Sequence, residues 1–185
     1  MAYSDELLKD TVLTEEFILE ELQNLKEYYD AMEVASQVFP AVKDAPMPSM
    51  AAILEEDEKG RNRVVTHSFL PLDEDDASYT KFLQFYCELQ IDVGGVDRLR
   101  LMEALMTLNG MLPLGTAVAV AARDELPAMV GLRYVQGYPL EEVIDQGAFC
   151  ETLFLFDLSC DLVSTVVDAL VEGASVENAL SRLHS

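Results

Sequence analysis

The sequence is short of positive charge. Its 185 residues include 12 Lys and Arg against 34 Asp and Glu, so the formal net charge is −22. The basic residues are not clustered, whereas binding to nucleic-acid phosphates or to anionic lipid relies on clustered Lys and Arg. We therefore expect no nucleic-acid partner and no membrane partner. An acidic surface instead suits solubility, or the binding of basic protein segments.

Targeting signals and paired cysteines are also lacking. No apolar run approaches the ~20 residues that a membrane-spanning helix needs. The first ten residues, MAYSDELLKD, are acidic and have neither the basic nor the apolar region of a signal peptide. The three cysteines, Cys87, Cys150 and Cys160, form no CxxC pair, which favours free thiols in a reducing compartment. These features together predict a cytoplasmic protein.

The sequence carries no strong signature of catalysis. It contains no GxGxxG, P-loop, GxSxG or HExxH pattern. The acidic runs at 55–58 and 73–76 lack the spacing of a calcium-binding loop and are typical of solvated turns. His67 and Cys87 both fall in predicted strands, where antiparallel pairing would allow a Cys–His pair, but a structural role suits such positions better. We therefore predict a non-enzymatic protein that needs no cofactor and no metal.

The N-terminal part of the chain predicts a helical extension. Thr14 is a suitable N-cap because Glu15 and Glu16 follow it, where negative charge complements the helix dipole. Apolar residues then recur at helical spacing: Ile18, Leu22, Leu25, Tyr29 and Met32. Prolines between positions 40 and 48 end this pattern, so residues 1–39 are predicted to be helical. We expect an extension over residues 1–40, packed on a domain over residues 50–185.

Beyond position 50, strand patterns alternate with helical patterns. Strand-like runs occupy residues 50–54, 64–72, 82–91, 116–122 and 128–135. Helical patterns occupy about 96–111, 149–171 and, for a short last helix, 175–183. Short connections favour antiparallel pairing of the first three strands and a hairpin of the last two. The sequence thus predicts an α+β fold in the order helix, three strands, helix, two strands, helix, with a short C-terminal helix added.

The central helix, predicted over about 96–111, carries surplus apolar surface. Projected at ~100° per residue, its apolar arc covers roughly 240°, more than packing on one core needs. Leu99, Met102 and Met106 widen the stripe that the leucines of this helix form. Methionine adapts to varied partners, so we predict that these three residues form an interface with a twin chain or with another protein. Ordinary filling of the core is the alternative.

The order of elements, with LNGMLPLG at 108–115 between the central helix and the fourth strand, resembles the YbjN-like family. That family is similar in fold to the type III secretion chaperones, and the resemblance covers about residues 51–171. It implies a small, acidic, usually dimeric protein. The secretion chaperones hold an extended segment of a partner protein on their surface. The long N-terminal helical region departs from the minimal pattern of this fold.

Three functions fit these features. The first is a non-enzymatic protein-binding, chaperone-like or regulatory protein that forms a homodimer and takes a partner segment in an apolar groove or at a sheet edge. The second is a small-ligand sensor or enzyme with a pocket between sheet and helices, which requires several converging polar groups. The third is a monomeric accessory domain whose N-terminal helix buries the surplus apolar surface.

Overall fold

The computed structural model describes residues 13–43, 45–72, 79–122 and 128–184. The N-terminal elements are helix α1 (Glu15–Ala31) and strands β1 (Ser36–Phe39), β2 (Ser49–Leu54), β3 (Arg63–Phe69) and β4 (Thr80–Leu89). They are followed by α2 (Arg98–Asn109), β5 (Thr116–Val120), β6 (Met129–Pro139), α3 (Gln146–Val171), α4 (Val176–Ser181) and a 3-10 turn (Arg182–His184). The predicted acidic turn at 73–76 lies outside the described residues.

The strands form a six-stranded antiparallel sheet in the order β1-β2-β3-β4-β6-β5. The predicted neighbours β2, β3 and β4 lie side by side, and β5 pairs with β6, with Ala117 opposite Leu132. Along β4 the residues alternate between buried and half-buried positions, so one side of this strand points into the core. The α+β fold class predicted from the sequence is confirmed. Strands β1 and β5 are the two edges of the sheet.

The described residues divide into two compact units. The first contains the segments up to Leu54, Val64–Phe85 and Val135–Thr152. Helix α1 packs there on β1 and β2, through Ile18, Leu22, Leu25 and Tyr29. Lys81 and Glu21 form a buried ion pair of 2.8 Å in the same unit, so that both charges are compensated away from water.

Helix α1 begins where the sequence predicts but ends earlier. The predicted N-cap is confirmed, since the Thr14 hydroxyl accepts a hydrogen bond from the Phe17 amide at 3.1 Å. The prediction of helix as far as residue 39 is wrong for 36–39, which form β1. Glu33, with a φ of 59°, turns the chain out of the helix. Pairing with β2, where Ser36 lies opposite Ala52, then satisfies the backbone of the strand.

The second unit contains Glu55–Arg63, Tyr86–Tyr134 and Leu153–Ser185. Helix α2 begins after Asp97, whose carboxylate accepts a hydrogen bond from the Arg100 amide at 3.0 Å. It packs against β5 and α4. Its buried side consists of Leu101, Ala104, Leu105 and Leu108. The helix is shorter at both ends than the predicted span of 96–111, because Asp97 starts it and Gly110 follows its last residue.

Charged residues between β2 and β3 hold this loop on α3. The Arg61 guanidinium donates to both carboxylate oxygens of Asp168, at 2.9 and 2.7 Å, and Lys59 lies 3.0 Å from Glu172. Arg63 pairs with Asp157 at 2.8 Å and also with Asp161. The polar arc of α3 therefore faces cations of its own unit. Bidentate pairs of this kind fix geometry as well as supplying energy.

Among the described residues, no helix has both the length and the apolar character needed to cross a membrane.

Candidate functional site

The three residues predicted to form an interface lie on the exposed side of α2. Leu99, Met102 and Met106 have 79%, 42% and 74% of their surface accessible to solvent. Their spacing of three and four residues places them in one stripe, because a helix turns once in ~3.6 residues. The opposite side of the helix supplies Leu101 and Leu105 to the core. The stripe of Leu99, Met102 and Met106 is therefore surface, and we call it the α2 stripe.

An apolar groove with a volume of about 630 Å³ runs between α2 and the edge strand β5. On the helix side its walls include Leu101, Met102, Leu105 and Met106. Residues 117–121 form the strand side, and all five are alanine or valine. The methionines thus belong both to the exposed stripe and to the rim of the groove. Small side chains on the strand leave its backbone accessible from the groove.

The outer edge of β5 is only partly paired. The Asn109 side chain donates to the Ala117 carbonyl at 3.1 Å and accepts from the Ala117 amide at 2.7 Å, as a neighbouring strand would. Backbone groups in a strand alternate in direction, so those of Ala119 point to the same side as those of Ala117. Across the described ranges, nothing pairs with these groups of Ala119. Within the described residues, the sheet edge is closed at Ala117 and open at Ala119.

The groove offers little for chemistry. Among the described residues that line it, only Arg98 and Asn109 have polar side chains, and Asn109 is already bonded to β5. The described residues of this lining include no nucleophile, general base or carboxylate. A reaction needs such groups to converge on a substrate. The groove is therefore suited to packing against apolar surface and to backbone hydrogen bonding.

The other candidates from the sequence have structural partners. His67 is fully buried, with Nε2 2.7 Å from the Tyr29 hydroxyl and its ring against Phe85 and Phe149. Burial lowers the pKa of His67 to about 3, so the ring is neutral near pH 7. Its Nδ1 has no hydrogen-bond partner within the part of the chain that the structure describes. Such a histidine is part of a core.

Cys87 and Cys160 form a buried thiol pair. A hydrogen bond with Cys87, together with burial, raises the pKa of the Cys160 thiol. The thiolate is the reactive form of cysteine, so this pair is poorly suited to nucleophilic chemistry. No group of His, Cys, Asp or Glu within the described ranges is arranged to hold a metal ion.

A charged cavity of about 110 Å³ lies in the second unit, between the β2–β3 loop and α3. It is lined by the ion pairs of Lys59 and Arg61 with Asp168 and Glu172, and by Arg182, which lies 3.0 Å from Glu172. Each of these cations already has a carboxylate partner. The cavity is small and its charges compensate one another, so the cluster stabilises the loop.

No family model matches the chain, and no curated protein matches it. Among solved structures, the chain is similar to the crystal structure of YbjN, a proposed transcription regulator from E. coli. The TM-score is 0.45 and the identity 14%, over 82% of this chain and 92% of that chain. The match is to the family that the sequence resembles. It concerns the fold alone and carries no argument about binding or activity.

Two features of the structure were missed at the level of sequence. One is the bond between Asn109 and β5, which depends on how closely the end of a helix approaches a strand. The other is an exposed apolar strip on α3, formed by Phe154, Leu155 and Leu158. The sequence contains a signal for this strip, because apolar residues occupy nearly all sides of α3 outside its polar arc. The polar arc proved to be the side that faces the β2–β3 loop.

Proposed function

We propose that this chain is a non-enzymatic protein-binding protein, chaperone-like or regulatory in type, which forms a homodimer through α2 and β5. The observation that supports this most is the exposure of Leu99, Met102 and Met106 beside an open strand edge. Contiguous exposed apolar surface is typical of interaction sites, because covering it removes it from water. The free thiols of the three cysteines favour a cytoplasmic location.

A second copy fits the α2 stripe because the stripe is self-complementary. A two-fold dimer brings the same patch of each copy together. If two α2 helices cross antiparallel about Met102, Leu99 of one copy packs against Met106 of the second copy, and the reverse. Every position of the stripe then meets an apolar side chain. A stripe with an apolar group at one end only would not have this property.

The edge of β5 extends the same surface. Two strand edges can pair antiparallel about a two-fold axis, and Ala119 is the residue whose outward groups are free for this within the described residues. Its small side chain lets a second backbone approach. Asn109 occupies the adjoining position at Ala117 and so limits how far such pairing can extend. We propose that the stripe and this edge lie in one interface.

The test is the molar mass in solution, measured by light scattering behind a sizing column. The wild-type chain should have twice the mass of one chain, and a Met102→Glu/Met106→Glu variant the mass of one. Burying carboxylates in an apolar interface should weaken association by about 100-fold or more. The variant should stay folded, because both positions are exposed and Glu forms helices about as well as Met.

A matched control distinguishes the loss of the apolar α2 stripe from the general effect of two added negative charges. Val42→Glu/Val143→Glu also adds two negative charges at exposed apolar positions, neither of which belongs to the α2 stripe, and should remain a dimer. A monomeric wild type would contradict the homodimer. If that monomer bound an extended peptide along β5, the occupant of the edge would be a different protein. Loss of the dimer in both variants would show that the added charge, and not the change in the α2 stripe, causes dissociation.

The groove volume favours one further function, that of a sensor for a small apolar ligand. Its size is within the range of about 300–1,000 Å³ that ligand sites span. The described lining residues, however, do not supply the several converging polar groups that such a site uses to orient a ligand. Titration with a fluorescent apolar dye distinguishes the two functions. Dye bound by the intact dimer supports the sensor, and dye bound only by the Met102→Glu/Met106→Glu monomer supports the interface.

A further inference from the structure

The described methionines differ in exposure, and Met32 and Met47 are half-buried. Met50 and Met129 are buried, whereas Met102, Met106 and Met111 are exposed. Met102 and Met106 stand one turn apart on α2 and line the groove beside β5. Met111 follows the helix and is outside that lining. Among the described residues, two of the three exposed methionines therefore lie at the proposed binding surface.

We propose that Met102 and Met106 are an oxidation-sensitive modification site that controls association through α2 and β5. This inference rests on the proposed function for its effect, but not for the modification itself. The reagent is a two-electron oxidant of the peroxide class. Its terminal oxygen is transferred to Sδ, so an S–O bond forms and the O–O bond breaks. The sulfur loses two electrons, hydrogen peroxide is reduced to water, and no proton is gained or lost overall.

The product changes the character of the surface. Methionine sulfoxide is polar and accepts hydrogen bonds from water, whereas the thioether is apolar and adaptable. Covering a sulfoxide with the apolar side chains of a second copy removes its water without replacing those hydrogen bonds. Oxidation should therefore weaken association while leaving the core intact. Methionine sulfoxide reductases reverse the reaction, so the change can act as a switch.

The cysteines do not compete for the oxidant. Cys87 and Cys160 are fully buried, and a shared hydrogen bond and burial raise the pKa of the Cys160 thiol. Burial also raises the pKa of Cys150. Oxidation of cysteine proceeds through an accessible thiolate, which none of these environments favours. The exposed methionines, two of which line the groove, are therefore more open to the oxidant than these thiols.

Association should also protect these methionines. When two copies meet through the α2 stripe, Met102 and Met106 are covered and only the dissociated chain reacts. Their oxidation should slow as protein concentration rises, and that of Met111, outside the groove lining, should not. The two effects reinforce one another, because each oxidised chain is withdrawn from the dimer.

The experiment treats the full chain with limiting hydrogen peroxide, maps each methionine by peptide mass spectrometry, and then measures molar mass by light scattering. In dilute protein, Met102 and Met106 should be oxidised roughly tenfold or more faster than Met50 and Met129. The oxidised protein should elute as a monomer, and treatment with sulfoxide reductases should restore the dimer. A Met102→Leu/Met106→Leu variant should dimerise and resist the oxidant, and a Met111→Leu variant should behave as wild type.

The outcomes separate the two proposals. Equal oxidation of buried and exposed methionines would overturn the modification site whatever the molar mass. A dimer that persists with both sulfoxides mapped would overturn the control of association and leave the homodimer standing. Loss of the dimer in the oxidised Met102→Leu/Met106→Leu variant would place the sensitive residue elsewhere. An untreated chain that is already monomeric would contradict the proposed function, and with it the control of association.

Discussion

At the scale of single residues, His67 ties stability to pH. Its ring is enclosed by Tyr29, Phe85 and Phe149, and its one hydrogen bond in the described structure is to the Tyr29 hydroxyl. Burial lowers its pKa in the folded protein to about 3, from the 6.5 of a solvated histidine. Between pH 3 and pH 6.5, His67 therefore binds a proton in the unfolded chain but not in the folded one. The contribution of a neutral His67 is complete above pH 6.5 and is lost as the pH falls towards 3.

We therefore expect His67 to destabilise the protein by roughly 2 kcal/mol on going from about pH 7 to about pH 5. The measurement is urea unfolding at both pH values for the wild type and for a Tyr29→Phe/His67→Leu variant. Removing both partners leaves no unpaired hydroxyl in the core, so the double variant should fold. The carboxylates contribute equally to both proteins, and the difference between them isolates His67. An identical loss of stability in the two proteins would contradict this account.

At the scale of elements, features set by neighbouring residues could be predicted from the sequence, whereas features set by contacts between separate segments could not. The N-cap at Thr14 and the surplus apolar surface of α2 could be predicted, because both depend on residues within a few positions of each other. Strand β1 could not, because residues 36–39 form a strand only by pairing with β2, after the chain has turned out of the helix at Glu33. The bond between Asn109 and Ala117 was missed for the same reason.

Asn109 links α2 to β5 and should therefore matter to both elements. An Asn109→Ala variant loses two hydrogen bonds and leaves the outward groups of Ala117 without a side-chain partner. We expect a loss of about 1–3 kcal/mol in the free energy of unfolding. We also expect faster amide exchange at Ala117. Glu103→Ala, on the exposed side of the same helix, is the matched control and should change stability by less than about 0.5 kcal/mol. Equal stabilities of the two variants would show that Asn109 does not support the edge.

At the scale of the whole molecule, the charge of −22 opposes the meeting of two copies. Salt screens repulsion between exposed charges, with a screening length that falls from ~30 Å at 0.01 M to ~10 Å at 0.1 M. We expect the dissociation constant of the homodimer to fall as salt is raised over this range, as sedimentation or dilution light scattering can measure. A basic partner segment would show the reverse, because salt would screen its attraction to the acidic chain. Association that weakens with salt would thus contradict a second copy as the occupant.

The central claim is that α2 and the edge of β5 are covered by a second copy, and amide hydrogen exchange at Ala119 tests it most directly. The Ala119 amide points to the open edge and should exchange quickly in dilute protein. Its exchange should slow as the wild-type concentration rises, but not in Met102→Glu/Met106→Glu. Amides of β1, the other edge strand, should be unaffected. An Ala119 amide that exchanges at the same rate at every concentration, or equal protection of both edges, would contradict the account.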